Sequence, residues 1–183
     1  LQYIKHRKLK LLQKKTWILA ILLSVPIVFS LIRYYKYKEK DAPYEIAIIQ
    51  PNIDPYSDKF RNKSPGEQLQ IILDEASVAG TNETDYFLGP ETALQGQNSL
   101  ATINRNWGVD VIHGFLERYP KAKFVIGAET TKEYMKEETP SFTARKLMNT
   151  GVHSESFNSA LQIDTTSIVQ IYHKSKLVVG VEK

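Results

Sequence analysis

The chain has 183 residues, room for one ordinary domain with a buried core. Its formal charge of +4 averages two unlike parts: residues 1–40 hold ten of the 24 Lys/Arg and one acid, leaving 14 basic against 19 acidic residues in 41–183, a net of −5. A nucleic-acid partner, which needs a basic patch on the folded domain, is therefore not expected, and zero cysteines exclude disulfides, thiolate metal sites and a cysteine nucleophile among these residues.

The first segment, residues 1–15, is basic. It runs into "TWILAILLSVPIVFSLI", Thr16 to Ile32, 17 residues without a charge. That is the lower edge of what crosses about 30 Å of hydrocarbon at about 1.5 Å per residue. Trp17 at one end and Tyr34-Tyr35 at the other fit an interfacial aromatic belt, and a membrane helix tolerates Pro26 better than a soluble one. A signal peptide and a buried soluble helix compete with a transmembrane helix here. The long basic leader, with no small-residue cleavage pattern after the apolar run, weighs against the signal peptide. Six Lys/Arg before the span and four within eight residues after it orient Leu1–Lys15 to the cytoplasm. Residues 33–43, "RYYKYKEKDAP", read as a polar stalk, and 44–183 as the globular part on the far side of the membrane.

In the globular part "YEIAIIQPNI" (Tyr44–Ile53) reads as a first, central strand closed by Pro51-Asn52. Ser64-Pro65 carries helix-start chemistry, and Leu69, Ile72, Leu73, Ala76 and Ala79 recur at helical spacing up to Gly80. "DYFLG" is a second strand. Trp107–Pro120 reads as a second helix with Trp107, Val111, Ile112, Phe115 and Leu116 inward, and "KFVIGAE" (Lys123–Glu129) as a third strand. Residues 130–152 are a long excursion of weak periodicity. "ESFNSALQID" and "SIVQIYHKSKL" are two strands joined by a turn at Asp164-Thr165-Thr166. This order indicates an α/β layered domain with a mixed sheet.

Two charged residues sit where strands end. Glu91 follows Pro90, whose ring fixes φ and restricts Gly89, so stiff backbone presents the carboxylate beyond a strand's carboxyl end. Taken alone it is an ordinary solvated acid. Lys174 directly follows an apolar strand and precedes Leu177-Val178-Val179; taken alone it is a surface lysine, and in this setting its charge can stabilise an oxyanion. Glu182, in "VVGVEK", has no signal of its own. The histidines His6, His113, His153 and His173 are scattered without ligand spacing. No Gly-rich phosphate loop or Gly-x-Ser-x-Gly elbow is present, so neither metal nor cofactor is expected.

In order, "IAIIQPNI", "GPETAL", "SFNSALQI" and "IYHKSKLVVGVE" resemble the nitrilase (carbon–nitrogen hydrolase) superfamily and, within it, the membrane-bound apolipoprotein N-acyltransferases, over about residues 44–183. The resemblance implies a nitrilase-like α-β-β-α sandwich, here truncated, behind one transmembrane helix. It implies Glu91 as general base, Lys174 as the group that stabilises the tetrahedral intermediate, and Glu182 as a second glutamate supporting the site. The nucleophile of that family is a cysteine, which would lie beyond Lys183. The chain begins at Leu1 rather than at a methionine, and it too is expected to be a piece of a longer polypeptide. Gly89 stands where the family often has a bulky aromatic, and Val179 where it often has a proline, two departures from the family's pattern.

The implied reaction takes a fatty acyl chain from a phospholipid donor as a thioester and passes it to the N-terminal diacylglyceryl-cysteine of a lipoprotein. The implied location is the bacterial inner membrane, multi-pass in the whole protein, with 44–183 periplasmic. Tyr134, Met135, Phe142, Leu147 and Met148 would belong either to a lipid-entry arm or to a plain surface insertion. Two other readings stand beside this one: a membrane-tethered amidase or nitrilase acting on a small amide, and a non-catalytic membrane-anchored binding domain.

Overall fold

The computed structural model describes residues 2–39, 41–54, 62–148 and 151–176. It divides into two compact units, Leu1–Pro43 and Tyr44–Lys183.

The first unit is one helix, α1 (Gln2–Lys36), with Pro26 inside it. Its stretch Lys14–Lys36 is 23 residues with mean hydropathy 2.1 and no buried share, long and apolar enough to cross a membrane. The helix extends past the 17 uncharged residues on both sides, because neither Lys14-Lys15 nor Arg33-Tyr34-Tyr35-Lys36 contains a residue that breaks it.

Among the described residues the second unit is a mixed sheet with two α-helices and a short 3-10 helix, Ile103–Arg105. Its strands are β1 (Ile46–Ile48), β2 (Tyr86–Leu88), β3 (Lys123–Glu133), β4 (Arg145–Lys146), β5 (His153–Ile163) and β6 (Gln170–His173). β1, β2 and β3 are parallel neighbours, and β5 lies antiparallel to β3. The far edge of β5 is shared, with β4 at its start and β6 at its end. The α/β class with a mixed sheet is the one its sequence pattern indicates.

α2 (Pro65–Ala79) links β1 to β2, and α3 (Trp107–Leu116) links β2 to β3. α2 starts where Ser64 accepts the Glu67 N–H at 3.2 Å while the Glu67 carboxylate accepts the Ser64 N–H at 2.7 Å, a reciprocal capping box. Its residues Leu69, Ile72, Leu73 and Ala76 join Val109, Ile112, Phe115 and Leu116 of α3 in one buried cluster. Ala47, Phe87, Phe124, Ile126, Leu161 and Ile163 complete it from one face of the sheet. Phe87 is its hub, with ring centroids 5.1 Å from Phe115, 5.0 Å from Tyr119 and 5.8 Å from Phe124. Fully burying each such side chain is worth about 1.5–3 kcal/mol.

The opposite face of the sheet carries Ile46, Ile48 and Leu88, which are 52%, 70% and 40% exposed. The described residues thus form one helix layer on one face of one sheet.

Three expectations need correcting. β1 is not central: among the described residues it pairs only with β2. α3 turns Gly108, Val109, Ile112, Phe115 and Leu116 inward and leaves Trp107 and Val111 partly exposed, because residues four apart share a stripe and 107/111 lie off the one that 109, 112 and 116 define. The excursion is also shorter than 130–152, since β3 continues to Glu133 and β5 begins at His153, ten residue pairs in all.

Candidate active site

The site begins where β2 stops. Gly89 N–H donates to Val125 O at 2.8 Å, and the chain then lies along β3 instead of leaving the sheet. Gly127 N–H donates to Pro90 O at 3.0 Å, while the N–H groups of Ala93 and Leu94 both donate to Gly127 O, at 2.8 and 2.9 Å. Two parallel bridges, Leu94 to Ala128 and Ser99 to Thr131, continue this contact. Thr92 takes a left-handed backbone, φ 53°, in the tight bend just past Glu91. Behind the loop the buried Asn98 donates to Leu94 O at 3.1 Å and to Glu129 O at 3.0 Å, and its Oδ1 accepts from Asn106 at 3.1 Å. The loop is therefore tied to β3 at Pro90, at Ala93-Leu94 and at Asn98–Leu100, which fixes the backbone that carries the carboxylate.

Among the described residues, Asn158 and Lys174 donate to that carboxylate. Asn158 Nδ2 donates to Glu91 Oε1 at 2.5 Å, and Lys174 Nζ donates to the same oxygen at 3.2 Å. Asn158 lies in β5, and Lys174 is the first residue after β6, its N–H donating to Asn158 O at 2.8 Å. The lysine side chain is 33% exposed and the glutamate 62%. At that exposure the pair adds only about 0–1 kcal/mol to stability, so folding gives little reason to bring three residues from three elements onto one oxygen. A cavity of about 470 Å³ lies beside Glu91 at the carboxyl ends of β1 and β2, lined by Gln50, Asn52, Gln68, Ile72 and Ala93 among others. This is the crevice where open α/β sheets gather their functional groups.

Of the three residues singled out in the sequence, Glu91 and Lys174 meet, and Glu182 lies outside the described residues, as does the Leu177–Val179 run. Asn158 escaped the sequence reading although "SFNSALQI" contains it. The hairpin register carried the signal: Gln162 pairs with Gln170 across the Asp164–Thr166 turn and Ser159 with His173, so the next pair outward is Asn158 with Lys174.

Chemically, a fixed carboxylate can accept a proton from a nucleophile, and the ammonium beside it can neutralise charge that develops on a carbonyl oxygen. The nucleophile itself is not among these 183 residues if it is a thiol.

No family model and no curated protein matches the chain. Among solved structures it is similar to an N-terminal amidase with a Gln-Gly peptide, at 18% identity over 73% of this chain and 28% of that one, with a TM-score of 0.42. It is similar also to a glutamine-dependent NAD+ synthetase from Acinetobacter baumannii in complex with ADP, at 14% identity over 76% of this chain and 22% of that one, with a TM-score of 0.41. The chain spans about a quarter of the length of these two proteins, 28% and 22%.

Proposed function

We propose that residues 44–183 are the base-and-lysine portion of a carbon–nitrogen hydrolase-type catalytic domain, and that the natural protein is an apolipoprotein N-acyltransferase. The observation that carries this is the meeting of Asn158 and Lys174 on Glu91 Oε1, at 2.5 and 3.2 Å, from positions 67 and 83 residues away in sequence.

In this mechanism a cysteine thiol from a part of the protein outside these residues gives its proton to Glu91. The thiolate attacks an acyl ester carbonyl of a phospholipid, and Lys174 stabilises the resulting oxyanion. Collapse of the tetrahedral intermediate breaks the ester C–O bond, and the lysophospholipid oxygen takes the proton back from Glu91. The α-amino group of a diacylglyceryl-cysteine then attacks the thioester, forming an amide and releasing the thiol. Glu182 would support the geometry of the carboxylate and the nucleophile.

The membrane-length helix Lys14–Lys36 supports lipid substrates over a small soluble amide. The six basic residues that precede Thr16 support an inner-membrane location with the catalytic portion on the periplasmic side. The arm beyond Glu133, with Met135, Phe142 and Met148 exposed, suits a lipid-facing role.

The test is a direct competition of substrates. The natural protein in detergent, given acyl-labelled phospholipid and a diacylglyceryl-cysteine peptide, is expected to N-acylate the peptide. Release of ammonia from a small amide with no acyl transfer would instead make it an amidase, and neither activity would leave a binding domain.

A further inference from the structure

β6 is four residues long, yet the residue after it must be held on Glu91. The hydrogen bonds that hold this strand end are not only those of the ladder. On the sheet face opposite the site, Thr130 Oγ1 and Ser159 Oγ lie 2.7 Å apart, and Ser159 Oγ and His173 Nδ1 lie 2.8 Å apart. Thr130 and Ser159 are 0% and 3% exposed, so water does not compete for either hydroxyl. The His173 ring stacks on Phe157, with centroids 4.3 Å apart and planes 27° apart. Ser159 and His173 are register partners, and Asn158 and Lys174 are the pair directly beyond them. A chain of three polar side chains thus ties β3 to β5 to β6 immediately behind the Glu91 site. Neither hydroxyl touches the carboxylate or the lysine in that site.

We infer that His173 is a positioning residue for Lys174: through Nδ1 and Ser159 it locks the end of β6 to Thr130 of β3, and this lock sets the lysine ammonium on Glu91. Its consequence for catalysis rests on the proposal that Glu91 and Lys174 are the reacting pair; the lock itself does not. A purely packing role would reside in the ring, which covers Phe157. A positioning role resides in the nitrogen. His173→Asn keeps a hydrogen-bonding atom where Nδ1 stands and discards the ring, whereas His173→Phe keeps the ring and discards the nitrogen.

The full chain in detergent micelles, with lysines 13C-dimethylated, provides a readout independent of turnover. The Lys174 methyl resonance is identified by its loss in Lys174→Arg, and its pairing with Glu91 is the shift of that resonance on Glu91→Gln. The shift is expected to persist in His173→Asn and to fall by at least half in His173→Phe. Ser159→Ala and Thr130→Val, which remove a hydroxyl at nearly constant volume, are expected to lower it likewise and carry the test if His173→Phe does not fold. An undiminished shift in the folded Phe, Ala and Val variants, or its loss in Asn alone, overturns the inference. Should acyl transfer survive Glu91→Gln, the catalytic proposal fails while this shift still reports on the lock.

Discussion

The backbone of Glu91 rides directly on Gly127: a methyl group added at Gly127 would stand 2.6 Å from Glu91 Cα and 2.5 Å from Thr92 N. Both atoms are backbone, in a loop pinned to β3 on either side of the contact, so neither can turn aside as a side-chain tip would. Gly127→Ala is therefore expected to destabilise the domain by about 1–3 kcal/mol and to lift Glu91 off Lys174. Gly114 is the matched control, a helical glycine with nothing within 4 Å of an added methyl. Gly114→Ala is expected to stabilise by about 0.5–1 kcal/mol. Urea melts of the two variants check both signs, and a neutral Gly127→Ala would show that the close approach does not constrain the loop.

The two sheet faces predict opposite responses to truncation. Phe87 is fully buried among Phe115, Tyr119 and Phe124, and Phe87→Ala is expected to cost about 3–5 kcal/mol. Its neighbour Leu88 points to the other face and is 40% exposed. Leu88→Ala is expected to cost less than about 1.5 kcal/mol, since much of its surface is in water already. Equal losses in denaturant melts would contradict the assignment of the helix-covered face.

Glu155 anchors the arm. It accepts from Tyr134 Oη at 2.5 Å and from the Thr143 hydroxyl, which joins both strands of the hairpin to the loop between them. Burial works to raise its pKa, but hydrogen bonds from Thr143, Tyr134 and Ser141, with the charge of Lys132, together hold it below the ordinary glutamate value. A carboxyl depressed in the folded state contributes stability that is present above its unfolded pKa and lost as pH falls through the folded value. Amide-exchange protection of residues 134–148, corrected for intrinsic rates, is expected to be constant from neutral pH down to the ordinary glutamate range near about 4.3 and to decline below it. Glu155→Gln should flatten that decline. An arm whose protection is the same at every pH, or falls on raising pH, would contradict this anchoring.

Much of this architecture could be read in the residues because it is local. Ser64, Pro65 and Glu67 announce the start of α2 within four positions, and the period of Leu69, Ile72, Leu73 and Ala76 sets its inner face. The turn at Asp164–Thr166 was equally visible, with Asp164 accepting from the Thr166 N–H at 2.8 Å. What escaped is pairing between distant segments. The apolar run of β1 has the composition of a central strand, yet Ile46 and Ile48 face outward; composition says how apolar a strand is, not how many neighbours it has. Thr130–Glu133 look like a loop because their charges belong to a strand arm that reaches beyond the core. Pro90-Glu91 and Lys174 stood out by their chemistry at strand ends. Asn158 did not, because an asparagine in a strand means something only once its partner across the hairpin is known. His173 escaped for the same reason.

The central claim is that Glu91 and Lys174 act together on a thiol to move an acyl group, and trapping the acyl intermediate tests it most directly. The natural protein carrying this sequence, incubated in detergent with acyl-labelled phospholipid and no acceptor, is expected to form a covalent adduct that neutral hydroxylamine cleaves. Glu91→Gln should lower its rate of formation by at least about 10²-fold, the scale of a lost general base, while changing stability by less than about 1 kcal/mol. An adduct that forms at the wild-type rate in Glu91→Gln, or no hydroxylamine-labile adduct in the wild-type protein, would contradict the claim.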